Sequence, residues 1–297
     1  MSGATSVGAG KRYGLERVCQ VLEFPRSTIY AQRAAARVVP LRSQRRGPKP
    51  KLPDAGLLVA IRADLDASPF TGEGHRKVWA RLRLVGGIRV SRARVLRLMR
   101  ENSLLSPHRR PQGEPVLHDG SIITDRPNEM WGTDGIRIET VDEGWVWVFA
   151  AVDHFDACCV GIHAVKIGNR FAALQPIAQG LRTEFGATGA AAGRGLTLRM
   201  DHGTQYTADD FLNQVRFWGV APSFAFVAEP QTNGVAERFN RTLKEQVIHG
   251  RVFRNVEEVR AAVTAFKDLY NQHWRLEKLG FMSPLEARQA HALRKAA

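Results

Sequence analysis

From about Asn128 onward the residue pattern switches between the two-residue period of strands and the 3.6-residue period of helices, in an order that leaves few folds open. "MWGTDGIRIETV" alternates as a strand, and "GWVWVFAAVDHF" follows as a long, nearly continuous apolar strand. The acidic "DEG" between them marks a hairpin, and "CCVGIHAV" is a third strand. "NRFAALQPIAQGLRTEFG" reads as a helix and "GLTLRMDHG" as a buried fourth strand. "TADDFLNQVRFWGV" reads as a helix capped by Thr207, and "APSFAFV" as a short fifth strand. The stretch "EPQTNGVAERFNRTLKEQ" starts as a loop and runs into an amphipathic helix. A last helix, "NVEEVRAAVTAFKDLYNQHW", closes the module.

Three antiparallel strands, then helix, strand, helix, strand and helix, is the element order of a ribonuclease H-like fold. The expectation is therefore an α/β module over 127–292, a mixed five-stranded sheet flanked by helices, preceded by all-α helix-turn-helix units.

The preceding part divides into four pieces. Residues 1–37 carry a helix-turn-helix-like segment, with Leu15, Val18, Cys19 and Leu22 on one apolar face. "FPRST" breaks it, and Ser27 or Thr28 is expected to cap the helix that follows. Residues 38–54, "VVPLRSQRRGPKPKLPD", read as an extended basic linker rich in Pro and Gly. Residues 55–112 read as a second helical, DNA-binding unit. There Val78, Trp79 and Leu82 point inward, Arg76, Lys77, Arg81 and Arg83 outward, and Ser91 caps a helix with Val95, Leu98 and Met99 on its core side. Arg92, Arg94, Arg97 and Arg100 are expected to cover the remaining surface, and 113–126 to form another linker.

Charge follows the same division. Residues 1–125 carry 23 Lys and Arg against 10 Asp and Glu, whereas 126–297 carry 20 against 19. A basic front end on a near-neutral module suits a polyanion such as double-stranded DNA. Arg26, Ser27 and Thr28 at the opening of the first unit's second helix, and Arg76 and Arg92 in the second unit, are the expected contacts there. The chain has no apolar run long enough to span a bilayer, and its first residues lack a secretory pattern. Three cysteines, two of them adjacent, make neither a disulfide framework nor a zinc-ligand spacing, which points to a reducing, cytoplasmic setting. Association with the nucleoid is expected of a chain that acts on DNA.

Three acids resist explanation as solvated surface. Asp134 interrupts the strand "WGTDG", Asp201 ends the apolar run "LTLRM", and Glu237 lies on the helix after the fifth strand. Asp209, Asp210, Glu257 and Glu258 sit in first helical turns, where the helix dipole accounts for them, and Asp153 reads as a turn former. Carboxylates gathered at one sheet edge repel one another unless cations lie between them. A pair of Mg²⁺ ions, about 3.5–4 Å apart and replaceable by Mn²⁺, meets that need and supports phosphodiester displacement. At 100° per residue, Ala236, Phe239, Leu243 and Val247 share one helix face. Glu237, Arg241, Lys244 and Ile248 share another, where a surface Glu237–Arg241 pair competes with a site role for Glu237.

Asp201 and Glu237 are separated by the 35 intervening residues of a D,D(35)E core. With "WGTDGI", "DHGTQYTADDF", "PQTNGVAERFNRTLKEQ" and "YNQHWRLEKLGFMSPLEA", the chain resembles bacterial insertion-sequence transposases with a retroviral-integrase-like core, of the frame-B type of two-frame elements. That resemblance runs from about residue 12 to residue 288. It implies that Asp134, Asp201 and Glu237 bind divalent metal and catalyse hydrolytic release of a 3′-hydroxyl, then strand transfer. It also implies DNA contacts by Lys244, Gln205, Tyr206 and Asn233, assembly as a homo-oligomer on element ends and target DNA, and a possible upstream-frame helix-turn-helix partner. Two departures stand out: "DACCVGIHAV" lacks the usual basic residues, and "MDHG" has histidine where arginine is common. Two rivals remain open, a catalytically silent DNA-binding regulator and a nuclease of the same fold that cuts without joining.

Overall fold

The computed structural model describes residues 3–37, 52–106, 122–225 and 233–296, and the chain divides into two compact units at Lys51 and Leu52. In the first unit α1 (Leu15–Val21) and α2 (Arg26–Arg37) form the expected helical pair, with Cys19 buried. Here α2 begins at Arg26, directly after Pro25, so Ser27 and Thr28 lie inside its first turn and neither precedes the helix as a cap. Most of the expected linker, 38–51, lies outside the described residues, as does 107–121.

The second unit opens with α3 (Asp54–Ala67), α4 (His75–Leu84) and α5 (Arg92–Glu101), packed around Leu57, Ile61, Val78, Leu82, Val95, Leu98 and Met99. Ser91 caps α5 by accepting from the Arg94 amide. Several basic side chains expected on the outer face are instead spent on acids. Arg81 bonds Asp64 at 2.8 Å and Glu73 at 2.5 Å, and Arg94 and Arg97 share Asp54. The Glu73 side chain is fully buried, and an unpaired charge there would be costly, so Arg81 and Lys77 turn inward to meet it. Lys77 stands over the Trp274 ring, 2.7 Å from its centroid, and burial lowers its ammonium to about 7.

The following module is a five-stranded sheet in the order β3-β2-β1-β4-β5. β1 (Met130–Thr140), β2 (Gly144–Asp153) and β3 (Cys159–Val165) pair antiparallel. β4 (Thr197–Met200) and β5 (Ala221–Phe224) run parallel to β1, which completes the ribonuclease H-like topology. The unbroken apolar run of β2 has its reason here: Val146, Val148, Ala150 and Val152 enter one core, and Phe149 and Ala151 the other. α6 (Arg170–Phe185), the one-turn α7 (Thr204–Thr207) and α8 (Asp209–Phe217) cover the second of these faces. Thr207 ends α7 and Ala208 stands at the N-cap of α8, so the expected Thr207 cap is absent.

The other face carries α9 (Gly234–Leu243), its continuation as a π-turn (Lys244–Ile248), and α10 (Val256–His273). α11 (Pro284–Ala296) follows a 3₁₀ turn at Glu277–Leu279. The α3–α4 loop plugs into this same face. Phe70 is 5% exposed and lies edge-on to Trp274 at 4.8 Å, a burial that contributes about 2 kcal/mol. Beside it Thr71 and Gln246 exchange two hydrogen bonds, of 3.0 and 2.9 Å. Among the described residues no helix is long and apolar enough to cross a membrane.

Candidate active site

β1 and β4 are adjacent and parallel, with Met130 opposite Thr197 and Gly132 opposite Arg199. The same register carried two residues on brings Asp134 level with Asp201, which directly follows the last residue of β4. Both acids thus lie where β1 and β4 part, at the carboxyl end of β4, a place where sites gather in α/β sheets. Glu237 reaches the same place from the first turn of α9.

Electrostatics ties the three together. Burial raises the Asp134 carboxyl above its ordinary range and the Asp201 charge adds to this, while hydrogen bonds from Asn240 and the Gly135 amide and the Lys244 charge pull it back. Burial raises Glu237 too, followed by the charges of Asp134 and Asp201. Among the described residues no lysine or arginine closes a salt bridge with any of the three. The rival surface pair is absent: Arg241 bonds Glu245 at 3.0 Å, one turn further along. Asp201 accepts the Gly203 amide at 2.9 Å, a turn that places Gln205, half-buried, at the rim.

Other expected contacts fall differently. Lys244 and Arg241 are exposed along α9, as its spacing predicts, but Ile248 packs partly buried against the core because the π-turn rotates everything after Lys244. Tyr206 is fully buried between the Phe149 and Phe211 rings, so its hydroxyl offers no surface to a DNA strand. Asn233 is 3% exposed and donates its amide to the Thr133 carbonyl at 3.0 Å, which likewise removes it from the surface. Arg76 and Arg92 are both held by Glu277, at 2.6 and 3.0 Å. In the first unit Arg26 pairs with Glu16, Ser27 is exposed and Thr28 half-buried.

Two features escaped the sequence reading. Asn240 donates to Asp134 Oδ2 at 2.9 Å, and its spacing of three from Glu237 was the available signal. Asp153 is no simple turn former. It is fully buried, accepts the Asn128 and Phe155 amides, and joins Asp156 and Glu184 around Arg288 of α11. Three acids around one arginine leave an excess of negative charge, and burial with the neighbouring Asp156 pushes Asp153 up to about 7.

Among the described residues no three His, Cys, Asp or Glu side chains close around a single metal point. The donor set nevertheless fits Mg²⁺, which takes one or two carboxylates and completes its shell with waters and substrate phosphates. Asp134, Asp201 and Glu237 supply only hard oxygens, and among the described residues none of them is taken up by a salt bridge.

Residues 56–112 match a family described as HTH-like domain, and residues 124–230 and 218–284 match two described as integrase core domain. The transposase for insertion sequence element IS629 of Shigella sonnei is 27% identical over 294 residues, 95% of this chain and 93% of its own length. The transposase InsD for insertion element IS2A/D/F/H/I/K of Escherichia coli is 28% identical over 246 residues, 78% of each chain. Among solved structures, the catalytic core domain of BIV integrase is 21% identical, covering 57% of this chain and 99% of that one, with a TM-score of 0.40. A chain of the simian T-cell lymphotropic virus intasome in complex with PP2A regulatory subunit B56 gamma is 16% identical, covering 71% and 70%, with a TM-score of 0.46.

Proposed function

We propose, for a chain that belongs to the insertion-sequence transposases with an integrase core, that it cuts DNA at the ends of its element and joins the freed ends to target DNA. Asp134, Asp201 and Glu237 are the catalytic carboxylates and hold divalent metal, Mg²⁺ or in its place Mn²⁺. Bound there as a pair, the ions supply Lewis acidity to the oxygens that attack and leave phosphorus. Each of the two reactions makes one P–O bond and breaks one. In the first, water attacks and a 3′-hydroxyl departs; in the second, that hydroxyl attacks a phosphodiester of the target.

The chain's own residues prepare this chemistry. Asn240 and the Gly135 amide orient the two oxygens of Asp134, and the Gly203 amide orients Oδ1 of Asp201. Lys244 and Arg241 run along the helix that carries Glu237 and hold the DNA backbone beside it. Gln205 lies at the rim as a further contact. Arg26, Ser27 and Thr28 in the first unit, and Arg76 and Arg92 once released from Glu277, bind duplex as well. The protein acts as a homo-oligomer on DNA at the nucleoid, with an upstream-frame helix-turn-helix protein as a possible partner.

The observation that carries this reading is the meeting of three carboxylates from two strands and a helix, which raises Asp134 and Glu237 and in which, among the described residues, none of the three closes a salt bridge. It is tested with labelled element-end DNA and Mg²⁺ or Mn²⁺, comparing wild type with Asp201→Asn and Glu237→Gln. Wild type nicks and joins, while both variants bind ends and do neither. Variants with full activity would overturn the assignment. A wild type that binds ends without chemistry would point to a silent regulator.

A further inference from the structure

Asn233 stands at the entrance to α9, with its side chain spent on β1. Its Nδ2 donates to the carbonyl of Thr133, the residue between Gly132 and Asp134. Its Oδ1 overhangs Gly132: a Cβ there would lie 2.7 Å from Oδ1, 3.1 Å from His154 Nε2 and 3.4 Å from Ala236 Cβ. A gap under 3.0 Å to a buried amide leaves no room for a methyl group, so only glycine lets the first turn of α9 close on the strand at this point.

Helical geometry makes this contact consequential. Residues 233, 237 and 240 fall within about 60° of one another at 100° per residue, on a single stripe. Asn233 grips the main chain of β1 at one end of that stripe, Asn240 grips Asp134 itself at the other, and Glu237 lies between them. The amide of Asn233 is also fixed in sense. With Thr133 O as its partner it must present NH₂, since its own oxygen would oppose that carbonyl.

We infer that Asn233 and Gly132 form a positioning pair that sets the separation of Asp134 and Glu237, and that Asn233 is not a DNA contact. The inference rests on the reading of Asp134 and Glu237 as the metal-binding pair. Gly132 supplies the absence of a side chain, Asn233 the hydrogen bond, and together they hold α9 at the height where its glutamate meets the strand-borne aspartate.

The test uses the full chain with Asn233→Ala, Gly132→Ala and the double variant, beside Glu237→Gln. Three quantities are read: affinity for end DNA in EDTA, the rise in melting temperature produced by Mn²⁺, and single-turnover nicking. Asn233→Ala is expected to bind DNA within about twofold of wild type, to need several-fold more Mn²⁺ for the same melting shift, and to nick roughly 10- to 100-fold more slowly. The double variant should lose no more than the worse single one, because both changes break one contact. Asn233→Ala alone decides the matter if Gly132→Ala does not fold. A loss of DNA affinity with an unchanged Mn²⁺ response would make Asn233 a DNA contact and overturn the proposal. So would a lower melting temperature with the Mn²⁺ response and nicking intact, which is a merely structural role. A wild type that nicks nothing sinks the catalytic reading and this one together, whereas Asn233→Ala nicking like wild type beside an inactive Glu237→Gln sinks only the positioning pair.

Discussion

Asn240 Nδ2 lies 2.9 Å from Asp134 Oδ2, a bond from the middle of a helix to the middle of a strand, while Oδ1 accepts the Gly135 amide at 2.7 Å, so that both carboxylate oxygens are oriented. Asn240 is 4% exposed and its own Oδ1 has no partner among the described residues, so its role is confined to this one contact. Asn240→Asp should therefore set a second carboxylate against Asp134, slow nicking roughly 10- to 100-fold and leave end binding nearly unchanged. Single-turnover nicking alongside filter binding checks both halves.

The raised Asp134 and Glu237 carboxyls give a pH dependence with a definite sign. A carboxyl raised in the fold favours the folded state below its unfolded pKa, and that contribution is lost as pH rises through the folded value. Metal-free protein should thus melt at lower temperature as pH climbs past the ordinary carboxylate range. Mn²⁺ should remove that loss by taking the place of the protons. Asp201→Asn, which removes one of the repelling charges, should raise the metal-free melting temperature near pH 7 by about 2 °C. Scanning calorimetry across pH with and without Mn²⁺ reads all three.

Arg288 is the sole cation among the described residues that bonds the buried acids Asp153 and Asp156. Arg288→Met removes it and leaves those charges without an ion-pair partner, with only the Lys278 charge nearby, which should destabilise the chain by about 3 kcal/mol. Urea unfolding measures the loss. Asp153→Asn in the same background should recover part of it.

Glu277 holds Arg76 and Arg92, the two arginines of this unit proposed to contact DNA phosphate. Glu277→Gln should raise affinity for duplex DNA by about 3- to 10-fold and steepen its salt dependence, because two guanidinium groups become free to displace counterions. Titration at several salt concentrations decides the point.

What the sequence conveys, and where it stops, follows from the physics of each feature. The order of strands and helices is legible because periods of 2 and 3.6 residues are local. The position of Asp134 is legible because an acid in an apolar strand is costly and so demands a reason, and that of Asp201 because it ends the apolar run of β4. Partners distant along the chain are not legible. Nothing local tells that Arg94 will meet Asp54 or that Arg81 will turn in toward Glu73, since those choices depend on how three helices pack. Tyr206 looks like a site residue from its motif, yet a single helical turn carries it under the sheet. The π-turn after Leu243 is equally silent, and within it Ile248 packs partly buried against the core.

The paired hydrogen bonds between Thr71 and Gln246, with Phe70 seated beside them, join the helical unit to the very helix that bears Glu237. The unit that would grip DNA and the carboxylates that would cut it are then spaced by folded protein and not by a tether. A duplex gripped by α5 would meet the cutting centre a set number of base pairs away, so that lengthening or shortening the DNA between grip and cut by half a helical turn would present the wrong strand face. Fastening that loop to the helix that bears Glu237 would give the molecule a measuring gauge.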